Sequence, residues 1–466
     1  MRSMAGSERI HPYIPNSVPE VKARMLAEIG VDDMDTLYED IPEKLRFRGK
    51  MNIPPGITSE MELRRHVERV LSENHTCEEN VSFLGGGCYQ HYVPAVCDEI
   101  TGRAEFLTAY AGEPYEDHGR FQALFEYQSL MGELLETDVV NVPTYDWGQA
   151  ASTAIRMAGR ITGRDVALIA DTISPDRLQV IRTYCEPVMR IESVGHSPDT
   201  AALEVDHLCG RLNDSVAVLY VENPSYLGTV EEGGRKLADT LHDNGSIFAV
   251  GVDPISLGVL APPSRYGADI TCGDIQSLGN HMYFGGALGG FIATCDDETF
   301  VMEYPSRLFG ICKTERAGEW GFGDVAYGRT SFAVREHGRE FVGTAAALYG
   351  ISAAVYLSLM GPAGMRELDQ HILQKSQYAM RCLSQLEHVR MRFDAFHFKE
   401  FVVDFSATGK SVTDINRALL EHGIFGGRDL GDDFADLEGC ALYAVTEVTT
   451  RQDIDRLVRT LTTILA

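Results

Sequence analysis

The chain has 466 residues, of which 44 % are hydrophobic and 23 % are charged, and its formal net charge is −27. This composition is ordinary for a folded globular protein and excludes long disorder, collagen-like repeats and a small disulfide scaffold. An acidic surface repels nucleic-acid backbones and anionic lipid headgroups, so we expect no nucleic-acid partner and no membrane partner.

Residues 1–75 are predicted to form a helical arm. An amphipathic run over Pro19–Ile29, with proline in its first turn, predicts one helix. Ser59 and Glu62 have the spacing of a capping box and predict a second helix that continues to Leu71. The first fifteen residues lack the apolar core of a signal peptide, so we expect a cytoplasmic protein.

Residues 76–335 are predicted to form a large α/β domain, because short apolar runs alternate with helical stretches. The apolar runs show little polar alternation, as in parallel strands that are covered on both faces. Asn223 and Asp253 end two of these runs, at the edge where open α/β sheets bind ligands. The predicted strands are Val166–Ala170, Val216–Val221 and Ile247–Val252, and the predicted helices are Asp176–Tyr184 and Gly233–Asp243.

Residues 336–466 are predicted to form a small C-terminal α/β domain. Its first stretch, Gly343–Gly361, carries no charge but is rich in small residues, which favours a buried helix over a membrane span. The other predicted elements are helices at Leu368–Gln385, at Val412–His422 and from Thr450 onward, with strands at Phe401–Val403 and Ala441–Thr446.

The ten cysteines contain no C-x-x-C pair. This spacing argues against a zinc site and favours buried, reduced thiols, as in cytoplasmic proteins. Scattered histidines such as His91 form no metal-spaced pair, and a hydrogen-bonded structural role is the better interpretation of each. We therefore expect no metal site.

Asp253 is the most informative polar residue, because a carboxylate at the end of a buried strand is costly unless it is paired. Two explanations are open. Asp253 is a buried structural acceptor, or it binds a protonated ring nitrogen such as that of pyridoxal phosphate. Glycine clusters at residues 85–87, 285–290 and 426–427 permit close backbone approach, but by themselves they indicate turns more often than ligand sites.

Several motifs together resemble those of one enzyme family. They are Tyr13–Ser17 (YIPNS), Phe83–Gly87 (FLGGG), His91–Val96 (HYVPAV), Val252–Gly258 (VDPISLG), Gln276–Gly279 (QSLG) and Val445–Glu447 (VTE). Over nearly its whole length the chain resembles the alpha subunit of the two-subunit glycine dehydrogenase (decarboxylating), the P-protein of the glycine cleavage system. The resemblance implies a fold-type I architecture of pyridoxal-phosphate enzymes, with a large, mostly parallel sheet domain and a small C-terminal α/β domain.

In that family glycine loses carbon dioxide on pyridoxal phosphate, and its aminomethyl group passes to the lipoyl arm of H-protein. The resemblance therefore implies pyridoxal phosphate as the cofactor, a beta-type partner subunit in a heterotetramer, H-protein as the carrier and a small amino acid as the substrate. It also implies a degenerate cofactor pocket lined by Asp253, Tyr145, Asp146, Gly148, Gln149, Gln276, Ser277, His91 and Asn223.

The lysine positions bear on which subunit holds the cofactor. A Schiff base needs a lysine near the glycine-rich turn that follows the Asp253 strand. The chain has only eight lysines, and residues 273–290 contain none. We therefore expect the partner subunit alone to bind pyridoxal phosphate covalently.

Three departures from the family pattern leave alternatives open. Trp147 replaces a glycine at the head of a predicted helix, where a phosphate-like group could sit, and the segments 112–119 and 334–341 also differ. The alternatives are a non-catalytic scaffold or effector-binding subunit, a paralogue repurposed for another amino acid, and a stand-alone enzyme with a non-covalently held cofactor.

Overall fold

A computed structural model describes residues 10–11, 13–49, 51–107, 118–305, 307–340 and 346–466. Parts of three predicted segments lie outside the described residues: 112–117, 341 and 343–345. The chain divides into two compact units, Met1–Asn74 and His75–Ala466.

The first unit contains both predicted helices, α1 (Pro19–Ile29) and α2 (Glu60–Leu71). Helix α1 ends at Gly30, which takes a left-handed conformation with φ of 84°. Helix α2 begins after Ser59, whose side chain accepts the backbone N–H of Glu62, which confirms the Ser59 half of the predicted capping box.

The second unit contains the elements that position the site. Its helices are α3 (Ala95–Thr101), α4 (His118–Leu135), α5 (Trp147–Thr162), α6 (Pro175–Cys185), α7 (Val205–Cys209), α8 (Gly234–Asp243), α9 (Glu298–Val301), α10 (Ser331–Val334), α11 (Ala347–Leu383), α12 (Val412–Glu421) and α13 (Arg451–Leu465). Its strands are β1 (Val81–Ser82), β2 (Val139–Val140), β3 (Val166–Ala170), β4 (Arg190–Val194), β5 (Val216–Glu222), β6 (Ile247–Gly251), β7 (Ile270–Asp274), β8 (Gly290–Thr294), β9 (Leu308–Lys313), β10 (Trp320–Val325), β11 (Arg390–Met391), β12 (Glu400–Asp404), β13 (Ile424–Phe425), β14 (Arg428–Asp429) and β15 (Cys440–Ala444).

A seven-stranded sheet forms the centre of this unit, in the order β2-β8-β7-β6-β5-β3-β4. Strands β4, β3, β5, β6 and β7 run parallel, whereas β8 is antiparallel to both β7 and β2. Every residue of β3 and β5 is buried, which explains why their sequences show no polar alternation. The predicted, mostly parallel α/β sheet is confirmed.

Strands β5, β6 and β7 are neighbours, so their carboxyl ends lie side by side. Glu222 ends β5, Asp274 ends β7, and Asp253 follows the last residue of β6 by two positions. This edge of the sheet collects three carboxylates from three separate parts of the sequence.

A second, four-stranded antiparallel sheet lies in the C-terminal part, in the order β11-β12-β15-β14. Its apolar face packs against α12 and α13 through side chains such as Phe401, Leu419 and Leu457. Strand β1 pairs in parallel with β13 and brings Phe83 into the same cluster. The segment that follows Phe83 therefore starts at the C-terminal sheet, which the sequence pattern does not reveal.

Helix α11 is the one helix among the described residues that is long and apolar enough to cross a membrane by length and composition. Gly361, with φ of 58°, and Pro362 interrupt its regular geometry. Ile351 and Ile372 are buried in apolar clusters of the second unit, as expected for a core helix. These contacts favour the predicted buried helix, which begins at Ala347.

Candidate functional site

The site lies where strand β6 ends. The Asp253 carboxylate is nine-tenths buried, and its Oδ1 atom accepts hydrogen bonds from Ser277 Oγ at 3.0 Å and from the Ile255 backbone N–H at 3.3 Å. Both donors belong to turns that directly follow β6 and β7. Two hydrogen bonds from the turns after β6 and β7 therefore fix the orientation of the Asp253 carboxylate.

Lys399 forms an ion pair with Asp253 through Asp253 Oδ2. Lys399 is only 3 % exposed and directly precedes strand β12 of the C-terminal sheet. Asp253, the predicted partner of a cofactor ring nitrogen, is therefore already paired with a cation from the same chain, Lys399.

Burial and pairing act in opposite directions on Asp253. Burial alone would raise its pKa, because a low-dielectric surrounding disfavours the charged form. The positive charge of Lys399 and the hydrogen bond from Ser277 outweigh that effect, and the pKa of Asp253 is lowered. Asp253 is therefore a carboxylate, not a neutral acid.

The ammonium group of Lys399 has two further neighbours. Its Nζ atom lies 3.3 Å from His91 Nε2 and 3.3 Å from the centre of the Tyr89 ring. His91 Nδ1 lies 2.7 Å from Glu447 Oε2. A carboxylate only accepts and an ammonium only donates, so these contacts assign the imidazole proton to Nδ1 and leave Nε2 as an acceptor for Lys399.

Tyr89 is held from both sides. Its backbone N–H and C=O bond the amide side chain of Gln276, at 3.1 and 3.0 Å. Its phenol donates to Glu400 Oε2 at 2.7 Å, and Glu400 Oε1 accepts the Gly86 N–H at 2.7 Å. Burial raises the pKa of Tyr89 well above its usual value, so the ring stays neutral.

The predicted residues Tyr145, Asp146, Gly148 and Gln149 lie together at the start of helix α5. Asp146 Oδ1 accepts the Gln149 N–H at 2.8 Å, and Gln149 Oε1 accepts the Tyr145 N–H at 2.8 Å. These reciprocal bonds cap the helix with its own side chains. A Cβ atom on Gly148 would lie 3.2 Å from the Val180 side chain, so this glycine permits α5 to pack on α6.

Asn223 lies apart from this group. Its amide group bonds the backbone N–H of Glu231 at 3.1 Å, the backbone C=O of Glu231 at 3.2 Å and the Tyr266 hydroxyl at 3.3 Å. Its polar atoms therefore hold the loop that follows β5. The structure thus brings Asp253, Ser277, Gln276 and His91 into one cluster, places the α5 residues in a second one, and leaves Asn223 in a third environment.

Two cavities adjoin the cluster. The cavity beside Asp253 and Lys399 measures about 20 Å³, which is room for about one water molecule. A second cavity of about 310 Å³ lies along the Gly85–Gly87 loop and Asp274. Trp147 and Arg177 line both cavities, and Arg177 is fixed by two 2.6 Å hydrogen bonds to Glu222.

Pyridoxal phosphate does not fit this chain's own pocket. Pockets for small molecules typically measure about 300–1,000 Å³. The space beside Asp253 is far smaller, and the adjoining cavity reaches only the lower end of that range. The ring-nitrogen partner Asp253 is taken by Lys399, and the α5 head where a phosphate would bind is capped internally. The larger cavity is lined by Asp146 and Asp176 and also by Arg177 and Arg428, so its charge neither favours nor excludes a phosphate group. The assignment of the nine residues named in the sequence analysis as cofactor ligands remains a prediction. The contacts described above argue against it.

Sequence reasoning missed the residue at the centre of the cluster. Lys399 stands in the pattern HFKE just before the apolar run FVV, and a charged residue at the start of a buried strand is a usable signal. Without the fold, nothing connects it to Asp253. Arg177 and Glu222 were missed for the same reason, because their pairing depends on where the start of α6 lies relative to the end of β5.

Comparisons with known proteins place this geometry in a family. The profile of a family described as glycine cleavage system P-protein matches residues 11–461. A relative from Staphylothermus marinus, named "Probable glycine dehydrogenase (decarboxylating) subunit 1", is 37 % identical over 98 % of this chain and 98 % of its own. A relative from Saccharolobus islandicus with the same name is 36 % identical over 97 % of both chains.

Solved structures agree. A glycine decarboxylase (P-protein) of the glycine cleavage system, in inhibitor-bound form, is similar with a TM-score of 0.86 at 30 % identity, over 98 % of this chain and all of that one. A sphingosine-1-phosphate lyase from Burkholderia pseudomallei has a TM-score of 0.63 at 12 % identity, over 90 % of this chain and 93 % of that one, which shows the fold alone. The fold is that of fold-type I pyridoxal-phosphate enzymes, and the chain belongs to the glycine cleavage system P-protein family.

Proposed function

We propose that this chain is the alpha-type subunit of a two-subunit glycine decarboxylase whose beta-type partner alone binds pyridoxal phosphate through a lysine. The observation that carries the proposal is the Lys399–Asp253 ion pair, because it occupies the carboxylate that a cofactor ring nitrogen needs. The lysine-free stretch at residues 273–290 supports it. The relatives' name, subunit 1, supports a second subunit.

On this proposal the partner supplies the cofactor, which withdraws electrons from the bond that breaks when the amino acid loses its carboxyl group. This chain contributes the fold on which the partner assembles. Glycine is the proposed substrate, H-protein the proposed carrier of the aminomethyl group, and the cytoplasm the proposed location. In this chain the Lys399 ammonium group is paired with Asp253, and an ammonium ion in such a pair does not act as a nucleophile.

The first experiment is co-expression with a candidate beta-type subunit, followed by size-exclusion chromatography and an absorbance scan. We expect a stable complex with the visible colour of a lysine-bound cofactor, and a colourless chain when the partner is left out. Borohydride reduction and peptide mass spectrometry then locate the adduct. An adduct on a lysine of this chain would refute the proposal.

The second experiment tests the reaction. Exchange of labelled carbon dioxide into the carboxyl group of glycine, with H-protein present, should need both subunits. Full exchange by the partner alone would favour a scaffold or effector-binding role for this chain. Exchange with another amino acid in place of glycine would favour a repurposed paralogue. A yellow chain without a partner would indicate a stand-alone enzyme.

A further inference from the structure

The contacts of Lys399 match the chemistry of an ammonium ion. Such an ion has three N–H donors and no acceptor. Asp253 offers a carboxylate, His91 offers Nε2 at 3.3 Å, and Tyr89 offers the face of its ring with the centroid 3.3 Å away. An ion pair, a hydrogen bond and a cation–π contact together surround the charge in a nearly dry site.

Each of these three partners is held by a further residue behind it. Ser277 donates to Asp253, Glu447 fixes the ring of His91, and Glu400 accepts from the Tyr89 phenol. Supporting bonds of this kind keep ligand groups oriented before the ligand arrives. The cluster is therefore an organised cation site and not a chance pairing of two charges.

The cluster also joins separate parts of the chain. Asp253 follows β6 of the seven-stranded sheet, whereas Lys399 precedes β12 of the C-terminal sheet. Tyr89 and His91 come from the segment that follows β1. A contact between Lys399 and Asp253 thus connects the two sheets directly.

We propose that Asp253, His91 and Tyr89 form a built-in ammonium site in which Lys399 replaces an external cationic ligand and ties the C-terminal sheet to the seven-stranded sheet. Once the Lys399 side chain is removed, the site accepts a primary alkylammonium ion in its place, and it needs no cofactor for its stability. This inference goes beyond the proposed function and does not depend on it, because it concerns the isolated full-length chain.

The test replaces Lys399 by alanine and returns the missing fragment from solution. The urea midpoint of the Lys399→Ala chain should fall well below that of the wild type, because Asp253 is left buried and unpaired. n-Propylammonium chloride, which supplies the removed side-chain fragment, should raise the midpoint of the variant and leave the wild type unchanged. Sodium chloride of equal ionic strength and 1-propanol are the matched controls.

A second substitution separates charge from packing. In the Asp253→Asn, Lys399→Ala chain the rescue by n-propylammonium should disappear, since the carboxylate is gone. The proposal is overturned if Lys399→Ala keeps the wild-type midpoint, if 1-propanol rescues as well as the ammonium ion, or if rescue persists without Asp253.

A third variant covers the case in which Lys399→Ala does not fold. The Asp253→Asn, Lys399→Met chain carries neither charge, so it should recover folded protein that the single variant cannot. Refolding yield and circular dichroism report this result. A double variant that also fails to fold would contradict the proposal, because the loss would then not arise from an unpaired charge.

Discussion

The guanidinium group of Arg177 lies over the indole of Trp147, with Cζ 4.2 Å from the ring centre. The same indole donates a 2.9 Å hydrogen bond from Nε1 to the Tyr220 hydroxyl. The face of the Trp147 ring thus contacts the Arg177 cation, and its N–H group is hydrogen-bonded to Tyr220. The side chain is buried. This stack fills the space between helix α5 and strand β5.

The first prediction concerns Trp147→Gly, which introduces the glycine that the family resemblance implies at this position. It removes a large buried ring, so we expect the free energy of unfolding to fall by about 3–5 kcal/mol. Pyridoxal phosphate added to the variant should still give no absorbance change typical of a bound cofactor, because Lys399 keeps Asp253 occupied. Binding of the cofactor by this single variant would contradict the account of the pocket.

Trp147→Phe is the matched control for this change. It keeps most of the ring and loses the hydrogen bond to Tyr220, so the cost should be roughly 1–3 kcal/mol. Urea unfolding of both variants side by side measures how much of the effect comes from the ring itself.

The second prediction concerns the pH dependence of stability through Asp274. Burial raises the pKa of Asp274 to about 7, whereas an unfolded aspartate titrates near roughly 3.9. The folded chain therefore keeps this proton up to a higher pH than the unfolded chain does. The stability that the protonated Asp274 contributes is fully present below the unfolded pKa and is lost as the pH rises through the folded pKa of about 7. Asp274→Asn, which cannot ionise, should exceed the wild type by about 2–4 kcal/mol above pH 7.

Urea midpoints of the two chains from pH 5 to 8 check this prediction, and the difference should shrink on the acid side. Asp369 acts in the same direction, because burial raises its pKa to about 8. Asp274→Asn should therefore reduce the pH slope without abolishing it. A variant that loses stability equally at all pH values would contradict the assignment.

The third prediction tests why residue 148 is glycine. A Cβ atom there would lie 3.2 Å from Val180 Cβ, so Gly148→Ala should cost about 1–3 kcal/mol by overpacking. Val180→Ala in the same chain should recover part of that loss. Calorimetry of the single and double variants measures the coupling, and additive effects would show that packing is not the reason.

The fourth prediction concerns the hairpin of β9 and β10. Arg307 is 3 % exposed and forms bonds of 2.6 and 2.7 Å with the two oxygens of Asp324. Arg307→Lys cannot make this bidentate contact, so the hairpin should open more often. Limited trypsin digestion should then cut faster at Lys313 and Arg316, with the midpoint of global unfolding little changed.

The sequence pattern predicts the regular elements of the second unit closely. Strand β3 has the predicted ends, and β5, β6 and α8 differ by one residue at an end. Long apolar runs and caps are local signals, and local signals are readable without a fold. The hairpin of β9 and β10 was not predicted, although residues 308–312 form a short apolar run, because glycines at positions 321 and 323 of β10 are untypical of a strand.

The centre of the site was not predictable in the same way. The sequence correctly identifies Asp253 as a carboxylate that needs a partner. It leaves two explanations open, a buried structural acceptor and a partner of a cofactor ring nitrogen. The structure favours the structural one, with Lys399 as its cation. Such a pairing depends on which strands become neighbours, and a single sequence carries little information about contacts between distant segments.

The occupied carboxylate has a consequence for the evolution of this chain. For this chain to bind pyridoxal phosphate through a lysine near Asp253, at least three coordinated changes would be needed: removal of the Lys399 side chain, loss of the Trp147 ring, and a new lysine within residues 273–290. Taken singly, the first leaves a buried negative charge and the second leaves a cavity. Intermediates are therefore less stable than the present chain, and single point mutations do not easily open the site to a cofactor.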